Sequence, residues 1–336
     1  MSRADMISAA GRAVSRRAVL AGLMAAPFVH RAGAQAGWPA QVIKFVVPFT
    51  PGGSTDILAR VLAQKLEPVL RQSIIVENRP GAGGSVAATA VARAEPDGHT
   101  FMMGHIGTLA FNPSLYPNLP YDPVADFAPV ALVATVPNIL AVHPALPVRS
   151  FAEFVAHAKA NPGKLNYGSG GVGSAAHVAG AYLGFAAGYD AVHLPYRGTG
   201  PMVNDLVAGV IQFTLTGGPA VLPLAASGQL RTLAVSSRAR VPFAPYLPTV
   251  AESGIANFEA VQWYGLVAPA KVPAAVVARM NAEINALMDS PEVTRNLQND
   301  GALAVKTTPE AFGAHIRAEI GVWREVIRRA GIKAGA

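Results

Sequence analysis

The chain has 336 residues, 51% hydrophobic and 14% charged, with 33 glycines, 27 prolines and no cysteine. That is ample apolar material for one large or two medium domains. The lack of cysteine excludes disulfides, thiolate metal sites, a cysteine nucleophile and a lipid-modified cysteine. The formal charge of +7 falls to about +3 once the five arginines and one aspartate of residues 1–34 are set aside, and no run of five like charges occurs, so nucleic acid is not an expected partner.

Arg3, Arg12, Arg16 and Arg17 precede an apolar run from Ala18 to Val29, followed by Ala32-Gly33-Ala34 and Ala34-Gln35-Ala36. A basic start, a short apolar centre and small residues at the end make a secretory signal. The run is too short to cross a bilayer as a helix, which needs about twenty residues. Residues 1–36 are therefore expected to be a signal peptide, with the mature chain beginning near Gln35 or Gly37. Ser15-Arg16-Arg17 suggests the twin-arginine route, although the usual Phe-Leu-Lys ending is absent, and general secretion stays open. The expected product is soluble, exported and not lipid-anchored, which in a bacterium means periplasmic.

Next, Ile43, Phe45 and Val47 mark a strand, and Ile57, Leu58, Val61, Leu62 and Leu66 recur at helical spacing through Glu67. Between them lies Thr50-Pro51-Gly52-Gly53-Ser54-Thr55, a turn with nothing bulky in it. Its glycines permit backbone angles closed to other residues, and Ser54 or Thr55 can cap the helix. The first helical amides lack intrahelical partners and carry the positive end of the dipole, so such a turn can hold an anion with backbone alone. An ordinary strand-to-helix connection is the plain alternative. Asp56 is expected to steady the first helical turn and to pair with Arg60 at i,i+4.

Strands and helices then alternate. Ile74-Ile75-Val76 is a predicted strand, Gly81 to Gly84 a turn, Ser85 to Ala94 a helix and Phe101-Met102-Met103 a strand. Asn112 to Phe127, rich in Pro, Asn and Tyr, reads as a loop, and Ile139 to Val142 as a strand. Helices follow at Phe151 to Lys159, Ser174 to Ala187, around Pro201 to Ala208 and near Ala220 to Ser227. Strands fall between them at Leu165 to Tyr167, Val192 to Leu194, Val210 to Leu215 and Arg231 to Val235. This alternation predicts parallel sheets with helices on both faces. After the strand Gln262 to Val267 the chain is predicted helical over Ala274 to Asp289, Pro291 to Asn299 and Pro309 to Ala330. The last helix carries one apolar stripe: Phe312, Ile316, Ile320, Trp323 and Ile327.

A second glycine turn, Gly168-Ser169-Gly170-Gly171-Val172-Gly173-Ser174, also follows a strand and enters a helix, the one that carries His177. Gly168-x-Gly170-x-x-Gly173 matches the dinucleotide fingerprint, so an exported NAD(P)-dependent oxidoreductase is the alternative reading. The fingerprint wants an acid at the far end of the next strand, whereas Asp190 precedes the strand Val192 to Leu194. No G-x-S-x-G elbow, H-E-x-x-H or Walker A sequence occurs, so no catalytic residue, cofactor or metal is expected.

Pro48-x-x-Pro51-Gly52-Gly53-x-x-Asp56-x-x-Ala59-Arg60 resembles the opening signature of the Bug (TctC-like) family, the extracytoplasmic solute receptors of tripartite tricarboxylate transporters. Glu77-Asn78-Arg79-Pro80-Gly81-Ala82-Gly83-Gly84, Pro96-Asp97-Gly98-His99-Thr100, Asn112-Pro113-Ser114-Leu115-Tyr116, His193-Leu194-Pro195-Tyr196-Arg197-Gly198 and Trp263-Tyr264-Gly265-Leu266 agree with it in order. The likeness runs from about Trp38 to the C-terminus. It implies a two-lobed α/β fold of the periplasmic-binding-protein kind, each lobe a sheet flanked by helices, joined by two crossing strands. Lobe one would comprise residues 38–138 and 263–336, and lobe two residues 139–262. The resemblance further implies a receptor that is not an enzyme, a monomer capturing a small carboxylate between its lobes, with two membrane subunits of a transporter as possible partners. The family's ligand loops map onto Gly52, Gly53, Ser54 and Thr55, and onto Ser169, Gly170, Gly173 and Ser174, with His177 on the following helix. Tyr196 and Arg197 are further candidates, Arg197 for a distal carboxylate or as a plain surface arginine. Trp263 and Tyr264 are expected to pack at the crossing. The chain departs from the family at Ala181, usually glutamate, and at Gln212, usually aspartate, which leaves ligand identity open.

Overall fold

A computed structural model describes residues 37–299 and 301–333; the expected signal peptide lies outside the described residues. In chain order the elements are β1 (Ile43–Val47), α1 (Ser54–Leu70), β2 (Ile74–Asn78), α2 (Ser85–Ala92) and β3 (Thr100–His105). A π-helical turn over Gly107–Phe111 leads into α3 (Asn112–Leu115) and then β4 (Phe127–Val142). Next come α4 (Phe151–Ala160), β5 (Asn166–Ser169), α5 (Ala175–Ala187), β6 (Val192–Pro195), α6 (Thr199–Val207), β7 (Phe213–Gly217), α7 (Gly218–Ala226) and β8 (Arg231–Val235). The chain closes with β9 (Val261–Pro269), α8 (Ala274–Met288), α9 (Pro291–Asn299), β10 (Leu303–Ala304) and α10 (Pro309–Arg329).

The strands lie in the order β2-β1-β3-β9-β4-β7-β5-β6, with β8 and β10 also paired to β4. β4 is the shared member. From Phe127 to Pro137 it pairs with β9, and from Asn138 to Val142 with β7 and β8. One long strand thus carries two sheets, each flanked by helices, which is the two-lobed α/β architecture. The strands β1, β2 and β3 are mutually parallel, as are β5, β6 and β7 through β5, but every pairing made by β4 and β9 is antiparallel. The expectation of parallel sheets therefore holds inside each lobe and fails at the crossing, where the connecting strands run against the others.

β4 is also far longer than the four residues predicted. Its residues are almost all buried, so it shows a continuous apolar run rather than alternation, as strands covered on both faces do. Pro129 and Pro137 argue against a strand there, yet the register shifts between Pro129 and Ala131, an irregularity of the kind that accommodates a residue with no N–H to donate. The predicted loop over Asn112 to Phe127 likewise begins with ordered helix. Asn112, 1% exposed, holds it by donating to Gly83 O (3.1 Å) and Tyr121 Oη (2.9 Å).

The C-terminal helices return to the first sheet. The predicted stripe of α10 is buried throughout and packs on β4 and the Gly107–Phe111 turn. Each such side chain contributes about 1.5–3 kcal/mol when fully buried, enough to hold the chain's end to its beginning. Among the described residues no helix is long and apolar enough to cross a membrane.

Candidate functional site

β1 delivers the chain into the first turn, and Gly52 takes φ +86°, the left-handed region that favours glycine. Gly53 sits at an ordinary φ of −85° and is the N-cap of α1, so only one of the pair uses glycine's freedom. Neither Ser54 nor Thr55 caps the helix; no side chain caps Gly53's position. The bracing falls to Asp56, 4% exposed. It accepts from Gly52 N (3.0 Å), Arg60 Nε (3.1 Å) and Asn78 Nδ2 (3.0 Å), and its ion pair with Arg60 closes at 2.9 Å, as expected from the i,i+4 spacing. Burial pulls its pKa up, but the hydrogen bonds from Arg60, Gly52 and Asn78 outweigh it and hold the carboxyl below its usual value. The amides of Asp56 and Ile57 turn to Gly53 O. Those of Ser54 and Thr55, at the first helical positions, have no intrahelical acceptor.

The second turn is braced differently. Ser169, fully buried, accepts from Gly171 N (3.2 Å) and lies 2.7 Å from His193 Nε2. Ser174 caps α5 by accepting from His177 N (3.3 Å). Gly173, at φ +76°, donates to His177 Nδ1 (3.0 Å). The His177 ring stacks on His193 with centroids 3.7 Å apart and an interplanar angle of 7°. Burial lowers the pKa of His177 to about 4, and burial plus the neighbouring imidazole lowers that of His193 to about 3, so both are neutral near pH 7. Ser169, Gly173, Ser174 and His177 thus direct these groups at their own loop. The amides of Ala175 and Ala176, the first of α5, have no intrahelical acceptor.

A third turn follows β6. The Tyr196 hydroxyl donates to Asp205 Oδ2 (2.8 Å), and burial together with Asp205 pushes its pKa up to about 12; it secures α6. Arg197 is exposed and makes no salt bridge among the described residues. The turns of the two sheets meet. A Cβ placed on Gly198 would lie 3.7 Å from Thr50 Oγ1, one on Gly173 would lie 2.7 Å from Leu115 Cδ1, and one on Gly170 would touch Thr199. Ile106, Phe111, Ala175, Ala179 and Trp323 close the floor beneath, leaving a void of about 10 Å³, about one water probe.

Sequence reasoning missed a polar chain beneath this floor. Asn138, at the point where β4 changes partners, accepts from Gln262 Nε2 (2.6 Å) and donates from Nδ2 to Ala260 O (2.6 Å), while its amide donates to Ser236 Oγ (2.8 Å). Gln262 Oε1 accepts from the Tyr264 hydroxyl (2.8 Å) and lies 3.3 Å from His105 Nε2, and the Ser54 side chain lies beside the Tyr264 hydroxyl and works against the rise that burial gives its pKa. Burial drops the His105 pKa to about 4, against the Gln262 hydrogen bond. The available signal was polar residues inside otherwise apolar strands. Tyr264 therefore links crossing and first loop, whereas Trp263 packs against Phe312 and donates to Glu319 Oε2 (2.9 Å). Gln212 accepts from Asn166 N (2.9 Å) at the end of β5 remote from the glycine turn. Asp190 precedes β6, at the opposite end of the parallel β5–β6 pair from Gly170, which is the wrong end for a ribose partner. Among the described residues no group of three or more His, Asp or Glu is placed to hold a metal.

Comparison with known proteins agrees with this geometry. The family described as "Tripartite tricarboxylate transporter family receptor" matches residues 58–332. Protein BugT of Bordetella pertussis is 37% identical over 297 residues, covering 88% of this chain and 91% of its own. A protein encoded between tcbD and tcbE in Pseudomonas sp. strain P51 is 36% identical over 94% of both chains. Among solved structures, R. palustris Rpa4515 with adipate superposes with a TM-score of 0.84 at 38% identity, covering 88% of this chain and 99% of that one. MatC from Rhodopseudomonas palustris with bound malate gives 0.80 at 33%, covering 86% and 100%. The chain belongs to the TctC family of tripartite tricarboxylate transporter receptors.

Proposed function

We propose that this receptor captures a small carboxylate between its lobes, outside the cytoplasm, and releases it unchanged. The observation that carries the reading is the pair of helix N-termini, α1 and α5, that enter the cleft from opposite sheets. Each has two amides without intrahelical acceptors, Ser54 and Thr55 on one side, Ala175 and Ala176 on the other. Two convergent dipole ends suit one anion, or the two ends of a diacid. Adipate and malate in two relatives of similar fold point to the same chemistry. Gly52, Gly53 and Gly170 keep the approach clear. Ser169, Gly173, Ser174 and His177 hold the second turn in shape, and we assign exposed Arg197 the role of meeting a distal carboxylate.

The ligand favours a closed form because only that form offers both sets of amides at once. Lobe one is assigned residues 38–138 and 263–336, lobe two residues 139–262, with residues 1–36 removed on export to the periplasm. A monomer would present the loaded, closed form to two membrane subunits of a transporter, or to a sensor. A thermal-shift screen of mono-, di- and tricarboxylates against nicotinamide nucleotides tests the reading. Stabilisation by a dicarboxylate, with the compound recovered intact, is expected; stabilisation by nucleotides alone would overturn it. Intact mass of exported protein tests the leader, and retention of Arg16-Arg17 would refute it.

A further inference from the structure

A further cavity is lined by Val172 of the second turn and by the His177–His193 pair, and it extends from them along α5. It is a groove of about 670 Å³ between α5 and the chain that follows α10. Gly180, Ala181 and Gly184 line it on α5, with the Tyr167 ring packed against Gly180 and Tyr189 against Gly184, while the exposed Phe185 ring, 6.0 Å from the Arg329 guanidinium, and the edge of Tyr167 give it aromatic walls. Its charged lining is Lys159, Arg329 and Lys333 against the single carboxylate of Asp190. Arg329 pairs with Glu325, but Lys159, Lys333 and Asp190 make no salt bridge among the described residues. Two further polar groups have no hydrogen-bond partner among the described residues. Tyr189, in the same wall, has a buried hydroxyl with none. His177 accepts from Gly173 N through Nδ1, which puts its proton on Nε2 and leaves that donor unassigned.

Cations around a space walled by aromatic rings match a flat apolar body with one negative end. The volume lies in the range of sites for small organic molecules. We infer that the groove along α5 is a second binding site and takes a small aromatic carboxylate, its anionic end toward Lys333 and Arg329 and its ring between Tyr167 and Phe185. This goes beyond the cleft reading and does not rest on it. The groove spans α5 of one lobe and the end of a helix packed on the other, so occupancy would couple to the separation of the lobes.

The probe is benzoate, added to the full chain carrying Gly53→Val, which blocks the cleft, and followed by imidazole 1H–15N NMR. Saturable movement of the His177 and His193 ring signals at millimolar benzoate, as in the parent, is expected. Lys333→Glu, at an exposed position that cannot unfold the lobe, should weaken this binding at least threefold. Ala181→Trp, which fills the groove, should abolish it while dicarboxylate stabilisation in the cleft persists. Unmoved ring signals, equal movement with benzylamine, or movement with inorganic phosphate but not benzoate would each overturn the proposal. So would full benzoate binding in both Lys333→Glu and Ala181→Trp. Failure of the cleft reading would appear instead as no dicarboxylate stabilisation in the parent, with the benzoate response intact.

Discussion

The two glycine turns look alike in sequence and are held by opposite means. The first is braced by a charge: Asp56 gathers Gly52 N, Arg60 and Asn78 around one carboxylate. The second is braced by neutral groups: Ser169, Ser174 and the stacked His177 and His193. A negative brace behind the proposed anion site is tolerable only if it is neutralised, and the exposed Arg60 does that. The second turn avoids the problem by using imidazoles kept neutral by burial. Both solutions leave two helix-terminal amides without an intrahelical acceptor, Ser54 and Thr55 in one turn and Ala175 and Ala176 in the other, so the open helix start is the shared feature while the side chains behind it differ.

Blocking the shared feature should have the largest effect. A Cβ on Gly53 would meet nothing nearer than Thr50 O at 4.0 Å, and φ there is ordinary, so Gly53→Val should fold normally and project methyl groups over the Ser54 and Thr55 amides. Amide-to-carboxylate bonds contribute about 1.5–3 kcal/mol each, so losing two lowers affinity about a hundredfold or more. Calorimetric titration with the best dicarboxylate from the screen measures it, and affinity within threefold of the parent would show that the first turn does not touch the ligand.

Removing the charged brace comes next. Asp56→Ala leaves Gly52 N without its acceptor and removes one of the two bonds of Asn78 Nδ2, which keeps Phe49 O, and should cost about 2–3 kcal/mol of stability, read from urea unfolding. A loss below about 0.5 kcal/mol, typical of a surface pair, would put the brace in the class of exposed ion pairs.

The two braces should also separate by pH. His177 has a folded pKa of about 4, depressed from 6.5 by burial, so the unfolded chain binds its proton first and stability is lost as pH falls below 6.5. Between pH 7 and pH 5 this histidine alone should account for about 2 kcal/mol. Asp56, depressed below 3.8, keeps its contribution above that value and loses it only at lower pH. His177→Gln should therefore reduce the slope of the stability profile between pH 5 and 7, with His193 and His105 keeping the remainder, while Asp56→Ala lowers it evenly there; equal slopes in parent and His177→Gln would contradict the assignment.

The smallest effect belongs to Arg197→Ala. Exposed and unpaired, it should change monocarboxylate affinity less than threefold, with a larger loss for diacids if its guanidinium meets the second carboxylate. A uniform loss across both classes would place it elsewhere in the site.

By itself the sequence determined the local units and the family. Strand, turn and helix are readable where hydrophobic period and punctuation coincide, as from Ile43 to Glu67 or along Phe312, Ile316, Ile320, Trp323 and Ile327, because these signals lie within a few residues of one another. The Asp56–Arg60 pair was legible for the same reason. Only the tertiary structure decided that Phe127 to Val142 is one strand serving two sheets, since a strand buried on both faces shows no alternation and its prolines argue against it. It also decided which groups remain open toward the cleft. Ser169, Ser174, Gly173 and Tyr196 look available in a list of residues, but their hydrogen bonds run to Gly171, His177 and Asp205. These partners lie only two to nine residues away, but which of them a turn folds back onto depends on its backbone path, which leaves no periodic mark on the chain.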